Sequence, residues 1–250
     1  MQLPLNQKVV LVTAGARRVG AAICRRLHAA GARVMVNYLR SGKEARALVA
    51  ALNEQRADSA AMVKADLLQR GVPDALVKTT LRTFGRLDAL VNNASSFYPT
   101  PVGKINERAW HDLIGTNLKA PLFVAQAAAG ELKKRRGCII NIVDIHAEFP
   151  LKDYVIYSIA KGGLAALTRS LARELGPAVR VNGVSPGPIL WPDANIWKNP
   201  KSRKAIVDRT LLKRMGEPDD IARTVEFLIA GAPYVTGQII AVDGGRSISL

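Results

Sequence analysis

The sequence predicts an α/β fold: a doubly wound parallel sheet of about seven strands with helices on both faces, in a single domain over residues 1–250. Three observations predict it. Short β-branched runs alternate with helical patterns from one end of the chain to the other. Most of these runs are apolar throughout rather than every second residue, as strands covered on both faces must be. No repeat, low-complexity tract or linker divides the chain.

The elements follow in order. Lys8–Val12 (KVVLV) reads as a buried strand, and Val19–Gly31 as a helix closed by glycine. Arg33–Asn37 is a second strand and Lys43–Arg56 a second helix. Ser59–Leu67 is a third strand, and Asp74–Gly85 a third helix ended by glycine. Asp88–Ala94 is a fourth strand that runs into polar residues. A single long helix is expected from about Ala109 to Lys134, then a fifth strand at Gly137–Asp144. Tyr154–Leu175 is a helix and Val179–Gly187 a sixth strand. Glu217–Gly231 opens with proline and acidic residues in its first turn, a strong helix start. Gln238–Gly245 is a seventh strand. The least regular stretch, Gly187–Met215, follows the sixth strand, where such sheets place their ligand crevice. Residues 188–215 are therefore expected to act as a substrate-binding lid.

Composition narrows the partners. The two cysteines, Cys24 and Cys138, show no metal-like or CxxC spacing, so both are expected reduced, in a cytoplasmic protein without a metal site. The N-terminus lacks the charged and apolar regions of a signal peptide, and no apolar run approaches a membrane span. The formal net charge of +16 could mark a nucleic-acid binder. The basic residues are scattered, however, and no basic stretch alternates with aromatics. Steering of an anionic cofactor is the better reading, with part of the charge simply solvated surface.

Thr13–Gly20 (TAGARRVG) joins the first strand to the first helix. A turn of small residues there brings backbone N–H groups to a pyrophosphate at the helix N-terminus. Ala14 and Arg18 stand where glycines are usual, while Gly15 and Gly20 remain. The second strand ends Asn37-Tyr38-Leu39-Arg40-Ser41, with no acid to bind a ribose 2′-hydroxyl or repel a 2′-phosphate. Arg40 can pair with that phosphate and Ser41 can hydrogen-bond to it, with Arg17 one loop away, so NADPH is expected rather than NADH. Asp66 is placed to hold the adenine amino group or to cap a helix.

Tyr157 and Lys161 lie four apart in YSIAK, on one helix face. A lysine ammonium beside a phenol is expected to lower the phenol pKa and suit Tyr157 to proton donation. Alone the pair could be a surface i,i+4 contact. Its setting argues otherwise: Asn117, Asp144, NNAS (Asn92–Ser95) and Pro186-Gly187 all fall at strand ends or flanking helices of one crevice.

This combination resembles the short-chain dehydrogenase/reductase family over essentially the whole chain. The resemblance implies a Rossmann fold, an oxidoreductase activity and usually a homotetramer in which the Thr236-Gly237 and Val242–Gly245 segments take part. It implies catalysis by Asp144, Tyr157, Lys161 and Asn117, the last supporting a proton relay through water. Cofactor contacts are implied for Thr13, Gly15, Arg17, Arg18, Val19, Tyr38, Arg40, Ser41, Asp66, Leu67, Asn93, Ala94, Ser95, Lys161, Pro186 and Gly187.

Most of the family carries serine where this chain has Asp144, and NNAG where it has NNAS. Pteridine reductases carry Asp and NNAS, and NNASSFYPTP (Asn92–Pro101) is similar to theirs over its full length. So are the turn with Arg18, the Arg40-Ser41 pair, TRS (Thr168–Ser170) and RVNGV (Arg180–Val184). The implied substrate is a pterin or folate, in folate metabolism. It would contact Arg18, Ser95, Phe97, Asp144, Tyr157, Pro188 and Trp191, with Phe97 stacking on the ring unless it serves as a core aromatic. The alternative is a 3-oxoacyl-[acyl-carrier-protein] reductase or other carbonyl reductase. His146 is expected as pocket wall, and His28 and His111 as ordinary helix residues.

Overall fold

The computed structural model describes residues 5–191 and 199–249. Seven parallel strands form one sheet in the order β3-β2-β1-β4-β5-β6-β7. The strands are β1 Val9–Val12, β2 Arg33–Tyr38, β3 Ala60–Lys64, β4 Ala89–Asn92, β5 Cys138–Ile142, β6 Arg180–Pro186 and β7 Ile239–Val242. The chain winds one way from β1 to β3, then returns to lay β4 on the other side of β1. Helices leave in opposite directions from that switch point, which opens a crevice at the carboxyl ends of the strands.

Alternate residues of each strand supply two cores. Val10, Val12, Val34, Val36 and Ile140 pack on one face with helices α1 Arg18–Ala29, α2 Gly42–Gln55 and α8 Pro218–Glu226. Val9, Leu11, Met35, Leu90 and Ile139 pack on the other with α3 Val72–Phe84, α5 Ala120–Arg135 and α6 Val155–Leu175. This is why the strand sequences carry no polar alternation.

Three expectations are corrected. The single helix from about Ala109 to Lys134 is two: α4 Glu107–Ile114 and α5, joined by a π-helical turn at Gly115–Lys119. Pro121 has no N–H for the carbonyl of Asn117 four residues earlier, so the α ladder cannot run unbroken through this point. The N–H of Ala120 instead reaches back five residues to Gly115. Several strands also stop short. The polar segments after Lys64, Asn92 and Ile142 leave the ladder and line the crevice instead.

The third correction falls in the segment expected to be irregular, which contains α7 Pro200–Asp208. Asn199 caps it through Lys201 N–H at 2.9 Å, and it buries no side chain, so its sequence shows no apolar stripe. The part of the expected lid at 192–198 lies outside the described residues.

A buried amide chain joins the elements that flank the crevice. Asn92 Nδ2 donates to Asn141 Oδ1 at 2.9 Å, Asn141 Nδ2 to Thr168 Oγ1 at 2.9 Å, and Thr168 Oγ1 to the Leu164 carbonyl at 2.8 Å. It couples β4, β5 and α6. Replacing Asn141 by alanine strands a donor on Asn92 and an acceptor on Thr168. We expect a loss of about 2 kcal/mol in urea unfolding, as for buried polar groups left unpaired.

Candidate active site

The crevice is a cleft of about 1080 Å³ that runs along the carboxyl ends of the strands. At one end lies the β1–α1 turn. Ala14 and Arg18, the two residues standing in place of glycines, adopt positive φ of 47° and 53°, so the turn keeps a glycine-like path without glycine there. Gly20 is required for a different reason: a Cβ would meet the Ala14 carbonyl at 2.5 Å and Asn93 Nδ2 at 2.7 Å.

Asn37, at the end of β2, fixes the turn from below. Its side chain accepts the Ala14 N–H at 3.2 Å, and its carbonyl accepts the Gly15 N–H at 2.9 Å. Thr13 Oγ1 accepts the N–H groups of Asn93 and Ala94 at 2.9 and 3.0 Å, tying the end of β1 to the NNAS segment. Thr13 and Gly15 are buried behind the turn and do not line the cleft. They build the wall that the other residues present.

Arg17, Arg18, Val19, Tyr38, Arg40, Ser41, Asp66, Leu67, Asn93, Ala94, Ser95, Pro186 and Gly187 all line it. Arg17 faces Glu44 across 3.8 Å with both side chains about half exposed, a weak pair in water. Arg18 donates to the carbonyls of Leu190 and Trp191 at 3.4 and 3.0 Å, which ties the irregular segment following Pro188 to the turn. Asp66 accepts the Leu68 N–H at 3.1 Å and does not cap α3, whose N-terminus is Gly71.

Tyr157 sits in the first turn of α6 and donates its hydroxyl proton to Asp144 Oδ2 at 2.7 Å. The other oxygen, Asp144 Oδ1, accepts the His146 N–H at 2.9 Å, which fixes the carboxyl orientation. Burial, then the Asp144 charge and hydrogen bond, push the Tyr157 pKa well above its ordinary value, with only a Ser95 hydrogen bond opposing them. This reverses the expected lowering by Lys161. The lysine lies 5.6 Å from the Tyr157 ring centroid and donates to the Ile142 carbonyl at 2.9 Å. It stands too far to offset the neighbouring carboxylate. Tyr157 therefore holds its proton through the neutral range.

Lys161 is 2% exposed. Burial lowers its pKa to about 8, against the opposing charge of Asp144. Asn117 is fully buried in the π turn and does not line the cleft. It accepts the Ser95 hydroxyl at 2.6 Å and donates to the carbonyls of Ser96 and Leu113, both at 2.9 Å. Its side chain acts on the cleft through Ser95.

Phe97 stacks on Tyr154 with centroids 4.5 Å apart and meets Tyr157 edge-on at 4.8 Å. It is both a member of a small aromatic core and a cleft residue. Pro188 and Trp191 line the far end, where the Arg203 guanidinium lies 5.1 Å from the Trp191 ring centroid. His146 is cleft wall.

Sequence reasoning missed Asp112 and Arg246, which also line the cleft, while Tyr98 falls in the NNASSFYPTP segment and Ile206 and Met215 in the expected lid without having been singled out. Asp112 accepts the Ser96 hydroxyl at 3.3 Å, and burial together with Asp112 pushes the Tyr98 phenol up to about 12. Of the two missed, Arg246 carried a sequence signal, its place directly after the VDGG segment.

A family model described as Enoyl-(Acyl carrier protein) reductase matches residues 14–247. The chain belongs to the short-chain dehydrogenase/reductase family and is an oxidoreductase of that family. Among its relatives, Pteridine reductase 1 of Leishmania tarentolae is 38% identical over 96% of this chain and 96% of its own length. A 3-oxoacyl-[acyl-carrier-protein] reductase of Staphylococcus epidermidis is 34% identical over 95% of this chain and 98% of its own. A blue fluorescent protein from a metagenomic library, solved in complex with NADPH, superposes with a TM-score of 0.90 at 35% identity. It covers 97% of this chain and 99% of its own. No helix among the described residues is long and apolar enough to cross a membrane.

The buried lysine makes a testable contribution to stability. Its folded pKa of about 8 lies below the ordinary 10.5, so the folded state binds fewer protons between those values. The penalty for burying the charge is complete below about pH 8 and fades as the pH rises toward 10.5. The difference in urea-unfolding free energy between wild type and Lys161→Met should shift toward wild type by up to about 3 kcal/mol from pH 7 to pH 10. A pH-independent difference would refute the assigned shift.

Proposed function

We propose that the protein reduces a pterin with NADPH. The observation that carries this reading is the 2.7 Å hydrogen bond from Tyr157 to Asp144 at the edge of the cleft. A ketone reductase needs a neutral hydroxyl there to hold a carbonyl that becomes an alkoxide. A carboxylate would repel that developing charge. Reduction of a ring C=N bond instead needs a proton delivered to nitrogen, and a phenol hydrogen-bonded to a carboxyl group can deliver one.

The residues present fit the cofactor. The β1–α1 turn offers a helix N-terminus free of a Cβ at Gly20, and the segment that follows β2 carries Arg40 and Ser41, with no carboxylate from Asn37 to Ser41. Arg40 and Ser41 would hold the 2′-phosphate, Asp66 the adenine, Asn93 to Ser95 and Pro186-Gly187 the middle of the molecule, and Lys161 the nicotinamide ribose. Bound there, the cofactor supplies the hydride.

Tyr157, kept neutral by burial and by Asp144, donates its proton to the ring nitrogen. Solvent then restores the proton to Tyr157 along its hydrogen bond with Asp144. Asn117 holds Ser95, which faces the substrate with Phe97, while Pro188 and Trp191 close the far side. The likeness to a pteridine reductase supports this reading, and the nearly equal likeness to a 3-oxoacyl reductase makes thioester reduction the competitor to exclude.

The deciding experiment follows NADPH oxidation at 340 nm with dihydrobiopterin, dihydrofolate and an acetoacetyl thioester side by side. Turnover of a pterin but not the thioester is expected. Tyr157→Phe should abolish it, and Asp144→Ser should lower kcat by about 10²-fold, the order of one general-acid contribution. Turnover of the thioester alone would overturn the pterin assignment. Separately, Arg40→Ala should raise the KM for NADPH about tenfold while leaving that for NADH little changed, since only the former carries the phosphate.

A further inference from the structure

Arg246 is a cation that the proposed chemistry does not use. It follows Gly244 and Gly245, whose positive φ of 63° and 76° turn the chain sharply after β7. The turn is held at several points. Asp243 accepts the Gly245 and Ser247 N–H groups at 2.9 and 2.7 Å, and the Arg246 N–H donates to the Asp243 carbonyl at 3.1 Å. The Ser249 hydroxyl also reaches the Arg246 carbonyl at 3.1 Å. The side chain projected from this fixed turn is only 8% exposed and lines the same cleft as Tyr157 and Asp144, beside Ile206 and Met215.

Its Nη1 is buried with no hydrogen-bond partner among the described residues. Asp243, whose charge acts on Arg246, spends its carboxylate on the Gly245 and Ser247 N–H groups and makes no hydrogen bond to Nη1. Burial and the charge of Arg209 lower the Arg246 pKa, against Asp243. Even so, a guanidinium stays protonated in proteins, so the wall of the cleft keeps a fixed positive charge with an unmet donor.

A cation in this position can take an acceptor from a ligand in the cleft. We propose that Arg246 is a specificity-determining residue that binds a carboxylate on the side chain of the substrate. A guanidinium pairs with a carboxylate through its planar N–H donors, and those of Nη1 are unused. The proposal rests on the pterin reading above and deepens it: among pterins, the chain favours those with an acidic tail over those with a neutral one.

The test compares dihydrofolate, which carries tail carboxylates, with dihydrobiopterin, which does not. In Arg246→Met the ratio of kcat/KM for dihydrofolate over dihydrobiopterin should fall about tenfold, through KM for dihydrofolate. Arg246→Lys, which keeps the charge without the planar fork, should fall between. A ratio unchanged in both variants, or a loss shared equally by the two substrates, would overturn the proposal. A second arm needs no turnover: calorimetric titration of the NADP-loaded protein with 4-aminobenzoyl-glutamate, the tail alone. Binding to wild type that weakens about tenfold in Arg246→Met keeps the carboxylate site even if no pterin is reduced. Equal binding to both proteins, or none to either, overturns it.

Discussion

The buried chain of hydrogen bonds from Asn92 through Asn141 to Thr168 sets the geometry on which the active site depends. Each of its members lies a few residues from a functional one. Asn92 precedes Asn93 to Ser95, Asn141 precedes Asp144, and Thr168 lies two turns beyond Lys161 on α6. Polar side chains in an apolar core must find each other in one register, because a slipped arrangement leaves buried donors unpaired. The chain thus fixes how the ends of β4 and β5 meet the start of α6. The 2.7 Å contact between Tyr157 and Asp144 is a consequence of that fit.

Electrostatics then decide what the pair can do. Burial disfavours the charged forms of both Tyr157 and Lys161, and it does so in opposite directions on the pKa scale. The carboxyl group of Asp144 adds to the effect on the tyrosine and opposes it on the lysine. The outcome is a phenol that keeps its proton beside a carboxyl group lining the cleft. At the other end of the cleft the charges are positive, from Arg17, Arg18 and Arg40, with the end of β2 free of acids. The formal charge of +16 is therefore partly local and suits an anionic ligand there.

The π turn at Gly115–Lys119 shows how a local backbone constraint places a side chain. Pro121 removes the N–H that would continue the α ladder, and the widened turn carries Asn117 inward. Its amide ends up serving Ser95, Ser96 and Leu113 rather than the cleft itself. Asn117 thereby supports the NNAS segment from behind, as Thr13 does from the side of β1.

Much of this was readable in the sequence. The alternation of apolar runs with helical patterns determined the parallel sheet, since strands covered on both faces cannot carry polar alternation. The Tyr157–Lys161 spacing, the NNAS segment and the acid-free end of β2 were legible because each is a local pattern, and the structure brings them to one cleft. Other features depended on what meets across the fold. The raised pKa of Tyr157 needed the distance to Asp144 and the displacement of Lys161 toward Ile142. Helix α7 escaped notice because it buries no side chain and so carries no apolar stripe. Arg246, more than two hundred residues from the β1–α1 turn, shares its cleft only because β7 completes the sheet beside β6. Periodicity and motif spacing report on neighbours along the chain. Burial, partner distance and charge environment are set by residues far apart in sequence, and only the packed structure decides them.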